Sequence, residues 1–199
     1  MRLVVLGGTR GLGHAVGLAA LAAGHTLTVL ARHAADLGEP AVGVRMVIGD
    51  VTDAADVERA VAGHDAVVWA VRPAPVRQGA DAFETGIPLV VAAMRGHGVR
   101  RLLCVSCGAG RSARARFTFR RVEPASGLDL REAPVRGSGL AWTVIRTAAL
   151  TNGPAAGAPQ VLEPSVLRPP RVARADVAAF IVAELAQSAH LRRTVLLAG

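Results

Sequence analysis

The chain of 199 residues has the length of one ordinary domain, and its 51% of hydrophobic residues argues against disorder. The formal net charge of +8 rests on arginine alone, since the chain contains no lysine; with aromatics at 3% and the arginines mostly scattered, it lacks the basic stripe with interleaved aromatics that nucleic-acid binding needs. No stretch approaches the roughly 18–20 unbroken apolar residues of a membrane span, and the opening apolar run is too short and glycine-rich for a signal peptide, so a cytoplasmic protein without membrane or nucleic-acid partners is expected. The arginine-only, Ala/Val-rich composition suggests a GC-rich bacterial genome.

Strand and helix patterns alternate along the chain. The first strand is predicted over Leu3–Leu6 and runs into the glycine-rich turn Gly7-Gly8-Thr9-Arg10-Gly11-Leu12-Gly13. A helix over His14–Ala23 follows, stopped by Gly24, then a strand over Leu27–Ala31. The third strand is Val44–Ile48, after which Asp53 is placed to cap a helix over Ala54–Val61 that Gly63 closes. Ala66–Val71 is an unbroken apolar run, as expected for a central parallel strand. A helix covers about Phe83–His97, with Pro88 expected to kink it or to limit it to Leu89–Arg95. Strands over Arg101–Ser106 and Trp142–Arg146, a helix over Asp176–Ser188 and a last strand over Thr194–Leu197 complete the pattern. Repeated βα units with short connections predict an α/β fold: a Rossmann-type, doubly wound parallel sheet with helices on both faces. Residues 1–199 are read as a single domain. Two segments, near 107–125 and 151–171, break the rhythm after late strands and are read as substrate-side loops at the sheet edge where ligands bind.

Strand, glycine turn and helix form the start of a dinucleotide-binding fold. Gly7 permits the tight turn, Gly11 lets the backbone approach a pyrophosphate, and Gly13 removes a side chain where helix and strand pack. The helix N-terminus offers free N–H groups and a positive dipole end to the phosphates. An NAD site usually carries an acid at the end of the second strand; here that place holds Arg32, which would pair with a 2′-phosphate, and Arg10 in the turn could reach the same group. NADP (as NADPH) is therefore the expected cofactor. Asp50 and Val51 end the third strand where an adenine ring would lie; Asp50 either accepts the adenine amino group or belongs to a helix-initiating turn. Thr9 and Leu12 in the turn, Ala70, Val71 and Arg72 at the end of the fourth strand, and Thr147 after the sixth complete the expected cofactor contacts.

Cys104 and Cys107 are spaced C-x-x-C, but Leu102–Ser106 reads as a strand, which puts residues i and i+3 on opposite faces roughly 10 Å apart, beyond disulfide reach. Reduced thiols are expected. His14, His25, His33, His64, His97 and His190 form no metal-ligand cluster with acidic or cysteine partners, and no metal is expected.

The chain resembles the atypical short-chain dehydrogenase/reductase family, within it the small NAD(P)H-binding group that contains biliverdin-IXβ (flavin) reductases and NmrA-like proteins. Its marks are the glycine turn, Val29-Leu30-Ala31-Arg32, Gly49-Asp50-Val51, Asp65-Ala66-Val67-Val68, Gly98-Val99-Arg100-Arg101, Ser138 to Thr143 with Arg146, and Arg174-Ala175-Asp176-Val177-Ala178. The resemblance implies an NADPH site on a Rossmann sheet with substrate above the nicotinamide. It also exposes departures. The Tyr-x-x-x-Lys pair that donates the proton cannot exist in a chain with no tyrosine and no lysine; its place falls near Pro124 to Leu128. The serine that polarises a carbonyl is represented by Ser106 or Cys107, with Cys107 at the usual serine position.

Without the Tyr/Lys pair, hydride transfer still suits an electron-poor acceptor. The expected activity is an NADP-dependent oxidoreductase acting on a small conjugated, quinone-like or flavin-like substrate, anionic or aromatic. A non-redox NADP-binding sensor and an isomerase or cyclase on the same fold are the alternatives. Ser106 is the candidate polar contact to substrate or nicotinamide, or else a strand-end hydroxyl bonded to its own backbone; Cys107 is the candidate nucleophile. Arg72 and Arg146 end strands at the cofactor edge, Arg146 serving either catalysis or a structural ion pair; Thr151 and Asn152 open the loop where the nicotinamide amide should lie. The arginines from Arg111 to Arg121 either hold an anionic substrate as a lid or form a solvated helix face or interface patch. A monomer or homodimer is expected.

Overall fold

The computed structural model of the chain describes residues 1–33, 43–72, 82–106, 125–163 and 171–199, with the side chains of 125–128 outside that description. Six strands alternate with helices: β1 (Arg2–Leu6), α1 (Gly11–Ala22), β2 (Thr26–Ala31), β3 (Val44–Ile48), α2 (Ala54–Val61), β4 (Ala66–Trp69), α3 (Ala82–Gly96), β5 (Arg101–Ser106), α4 (Ala125–Arg136) and β6 (Ala141–Thr147). The chain continues through β7 (Leu150–Thr151), β8 (Gln160–Leu162), β9 (Val172–Ala173), α5 (Arg174–Gln187) and β10 (Arg193–Ala198). The main sheet has the order β3-β2-β1-β4-β5-β6-β10-β8, parallel throughout except for the last, antiparallel β10–β8 pair. β7 and β9 form a separate short parallel pair.

The two faces of the sheet are built by the alternation of side chains along each strand. Leu3 and Val5 of β1, Val29 of β2, Val68 of β4 and Val105 of β5 point to one face, where Val16 and Ala20 of α1 and Val177, Ile181 and Leu185 of α5 cover them. Val4 and Leu6, Val67 and Trp69, and Leu102 and Cys104 point to the other, under Val57 and Val61 of α2, Ile87, Val90 and Met94 of α3, and Val135 of α4. This is the doubly wound α/β arrangement expected from the sequence.

Local signals explain most boundaries. Gly24, at φ +78, ends α1 in a Schellman motif, with its N–H donated to Leu21 and the His25 N–H to Ala20. The Asp53 side chain caps α2 by accepting the Asp56 N–H at 3.0 Å.

Several boundaries differ from expectation. α1 starts at Gly11 instead of His14, because the helical turn includes the glycines that hide apolar periodicity. β4 ends at Trp69, two residues before Val71: the Ala70 N–H still reaches the Leu6 carbonyl at 2.8 Å, but beyond Leu6 the first strand turns away at Gly7 and leaves no ladder to extend. α3 runs from Ala82 to Gly96 through Pro88 and is not confined to Leu89–Arg95. Pro88 forfeits one backbone bond, but Phe83, Gly86 and Ile87 before it and Val90, Val91, Ala93 and Met94 after it are all buried, and that shared apolar face outweighs the loss. α4 has no counterpart in the sequence reading. Cys104 is buried in the core, and Cys107 lies outside the described residues. No helix among the described residues is long and apolar enough to cross a membrane.

Candidate cofactor-binding site

The strand order reverses direction at β1: β2 and β3 lie on one side of it, β4, β5 and β6 on the other. In such sheets the crevice outside the carboxyl ends of the central strands takes the ligand. Here it is walled by the turn after β1 and by Ala70 and Val71 after β4. Gly7 adopts φ +84, and a Cβ on it would stand 2.8 Å from the Ala70 carbonyl carbon and the Val71 Cα. Gly13 lies against Gly7 so closely that a Cβ would overlap the Gly7 carbonyl oxygen. Gly11, at φ +62, is different: it faces open space, with the Arg174 Nε, 3.9 Å from where a Cβ would stand, as its one close neighbour. The turn is thus locked on its inner side and open on its outer side.

The start of α1 carries no side-chain cap. Arg10 occupies the N-cap with extended backbone, its side chain makes no cap hydrogen bond, and the first turn carries no acidic residue. The early N–H groups of a helix have no partner within it, and the dipole makes that end positive. Leu12 buries its side chain in the core and so offers only its backbone, whereas Thr9, Arg10 and Gly11 form the accessible lip. Arg32, one residue beyond β2, is exposed, as is Arg10; neither has a partner among the described residues.

Asp50 sits in a turn of its own. Its Oδ1 accepts from the Thr52 N–H at 2.9 Å and the Thr52 hydroxyl at 2.8 Å, and its N–H donates to Asp56 Oδ2 at 2.8 Å. That last bond is the largest cause holding the Asp56 carboxyl below the usual carboxylate range, with Arg59 adding to it. Asp50 thus takes part in the helix-initiating turn, one of its two expected roles. Val51 is half-buried and packs against the core beside it. Along the rest of the crevice Ala70 is buried, Val71 half-buried and Arg72 exposed.

Ser106 ends β5 opposite Arg146 of β6 and is 4% exposed. Its hydroxyl makes no hydrogen bond among the described residues, and the backbone that follows it lies outside them. Thr147 ends β6, half-buried and in register with Leu197. Arg146 resolves the other way, into an ion pair: its Nε and Nη2 donate to Glu132 of α4, both at 2.9 Å, and Nη2 also donates to Asp129 at 2.7 Å. Arg136 joins both carboxylates, at 2.8 and 2.7 Å. Hydrogen bonds from Arg146, then Arg136, hold the Asp129 carboxyl below its ordinary range. α4 is therefore bolted over β6 by charge. The expected lid arginines from Arg111 to Arg121 lie outside the described residues.

The segment after β6 is anchored from α5. Asn152 accepts a hydrogen bond from Arg174, and the buried Asp176 carboxylate accepts the N–H groups of Ala156 and Gly157 at 3.0 to 3.2 Å. Sequence reasoning gave neither Arg174 nor Asp176 a role. The signal was their spacing, a cation and an acid two residues apart in the first turn of a helix that follows a glycine- and proline-rich stretch. No group of three or more His, Cys, Asp or Glu suited to hold a metal occurs among the described residues.

The sequence pattern of the NAD(P)H-binding family matches residues 7–188, from the glycine turn to the end of α5. The chain belongs to that family. Solved structures with the same fold include a Rossmann-fold NAD(P)-binding family protein from Shigella flexneri, at 22% identity over 99% of this chain and 93% of that one, with a TM-score of 0.77. ChuY, an anaerobillin reductase from Escherichia coli O157:H7, aligns at 22% identity over 100% and 97% of the two chains with a TM-score of 0.80. A short-chain dehydrogenase/reductase from Veillonella parvula DSM 2008 in complex with NADP aligns at 18% identity over 100% and 94%, with a TM-score of 0.78. Identities this low establish the shared fold and leave function to the site. The family's dinucleotide fits what the chain offers: a turn that a Cβ at Gly7 or Gly13 would force apart, open on its outer side at Gly11, next to an uncapped helix start.

Proposed function

We propose that this chain is an NADPH-dependent reductase of a small conjugated, quinone-like or flavin-like substrate, working as one domain without a Tyr/Lys pair. The observation that carries the cofactor choice is the pair of exposed arginines, Arg10 and Arg32, that flank the glycine cradle with no acidic partner among the described residues. A guanidinium at the end of β2 favours a 2′-phosphate and serves a ribose hydroxyl poorly. Family membership supports a dinucleotide at this cradle, and the similar Veillonella protein is in complex with NADP.

A bound nicotinamide would supply the hydride. The chain's part is to hold the dinucleotide at Gly7–Gly13, with Thr9, Gly11 and Leu12 offering backbone N–H groups to the phosphates, and to present the substrate at the ends of β5 and β6. The Ser106 hydroxyl, without a partner among the described residues, is the group proposed to bond substrate or nicotinamide. An electron-poor acceptor takes the hydride and a proton from solvent, so it needs no tyrosine acid. The reductase named among the similar structures acts without lending its substrate to this chain, but it supports redox chemistry on this fold. One observation favours a second reading, an NADP-binding sensor without turnover: the chain has no tyrosine and no lysine at all.

Incubation with NADPH and a panel of quinones, flavins and extended enones separates the two. Protein-dependent loss of the nicotinamide absorbance with at least one acceptor is expected. Tight NADP binding with no turnover across the panel would leave the sensor reading in its place.

A further inference from the structure

Arg174 is the first residue of α5, and α5 packs beside α1 on the same face of the sheet. Its half-buried side chain reaches the glycine turn, with Nε 3.9 Å from the position of a Gly11 Cβ, and its Nη1 donates to Asn152 Oδ1. Two features make this placement unfavourable for the protein alone. The guanidinium stands near the positive end of the α1 dipole, beside Gly11, the residue that follows the exposed Arg10. Its one partner among the described residues is a neutral amide oxygen, because Asp176 on the same helix is committed to the N–H groups of Ala156 and Gly157. A cation held at an uncapped helix start, with no counter-charge, is an arrangement that an anion completes.

We infer that Arg174 binds the dinucleotide pyrophosphate at the Gly11 turn and, through Asn152, couples that contact to the segment 152–163. The inference rests on the dinucleotide reading above and adds a ligand from the far end of the chain. It assigns Arg174 a different phosphate from Arg32. Pyrophosphate is common to NAD and NADP, whereas the 2′-phosphate belongs to NADP alone. Arg174 donates two edges at once, one to the phosphates and one to Asn152, which its planar fork permits and a lysine ammonium would do less well.

Equilibrium titrations of the full chain with NADP+, NAD+ and adenosine 2′-phosphate test this, beside melting curves of the free protein. Arg174→Ala is expected to weaken NADP+ and NAD+ by a similar factor, about tenfold or more as for a lost charge-assisted hydrogen bond, and to leave adenosine 2′-phosphate unchanged. Arg174→Gln, which keeps the stem, carries the same test if the alanine variant melts early. Unchanged affinity for both dinucleotides, or a loss confined to NADP+ and adenosine 2′-phosphate, would overturn the assignment. Hydrogen exchange reads the coupling: NADP+ should raise amide protection over 152–163 in the natural chain and not in the Arg174 variants, and an equal rise in both overturns it. If the natural chain binds no dinucleotide, the reading beneath the inference falls with it; if it binds and the variants bind as well, the inference falls alone.

Discussion

Replacing Gly13 with alanine should both destabilise the chain and abolish tight dinucleotide binding. On propensity alone the change favours the helix by about 1 kcal/mol, since glycine is the poorer helix former. The site reverses the sign. The added Cβ would overlap the Gly7 carbonyl oxygen, and the obstruction is backbone, which cannot rotate aside as a side chain can. Relief requires α1 to move away from β1, at a cost of about 1–3 kcal/mol for overpacking. The same shift withdraws the early N–H groups of α1 from the phosphates, so affinity for NADP+ should fall by about tenfold or more. Gly96→Ala is the control: nothing lies within 4 Å of the added Cβ, and that variant should melt at or above the temperature of the natural chain. Melting curves and titrations of the two variants side by side check the prediction. A Gly13→Ala protein that melts and binds normally would mean the cradle is not as tight as described.

The second large effect belongs to Glu132. Its carboxylate is 0% exposed and Arg146 is 6% exposed, so removing the acid strands a buried guanidinium. Breaking a buried pair in this way costs about 3–5 kcal/mol. Glu132→Ala should show that loss in urea unfolding. Asp129 offsets part of it, because it also accepts from Arg146, but it lies nearer solvent. The double substitution Glu132→Leu with Arg146→Met should recover most of the stability, since well-packed apolar replacements of buried pairs are often neutral or better. That outcome assigns Arg146 to architecture. A double variant that unfolds like the single one would assign the pair a further role in α4.

The same residues show how far the sequence could be read. The strands were visible because parallel strands covered on both faces carry unbroken apolar runs, as in Ala66–Trp69 and in Leu102–Val105 of β5. The glycine turn was visible because its residues are fixed by local backbone need. α4 was hidden: among its described side chains, a core-facing position holds Glu132, Leu130 is exposed, and Pro134 interrupts the pattern. Arg146 therefore had two open roles, as its partners stand on a helix the sequence does not announce. Arg174 was hidden for a different reason. Its approach to Gly11 joins positions far apart in the chain, and only the packing of α5 beside α1 brings them together. Pro88 shows the limit of a local rule, since a buried face on both sides carried α3 through it.

The central claim is that Arg10 and Arg32 turn a family dinucleotide site into an NADP site. Titration of NADP+ and NAD+ against the natural chain and Arg32→Ala tests it most directly. The natural chain should prefer NADP+, and the substitution should weaken NADP+ by about 10- to 100-fold, the range of a charge-assisted hydrogen bond, while NAD+ affinity stays within about twofold. Equal weakening of the two dinucleotides, or a natural chain that prefers NAD+, would contradict the account.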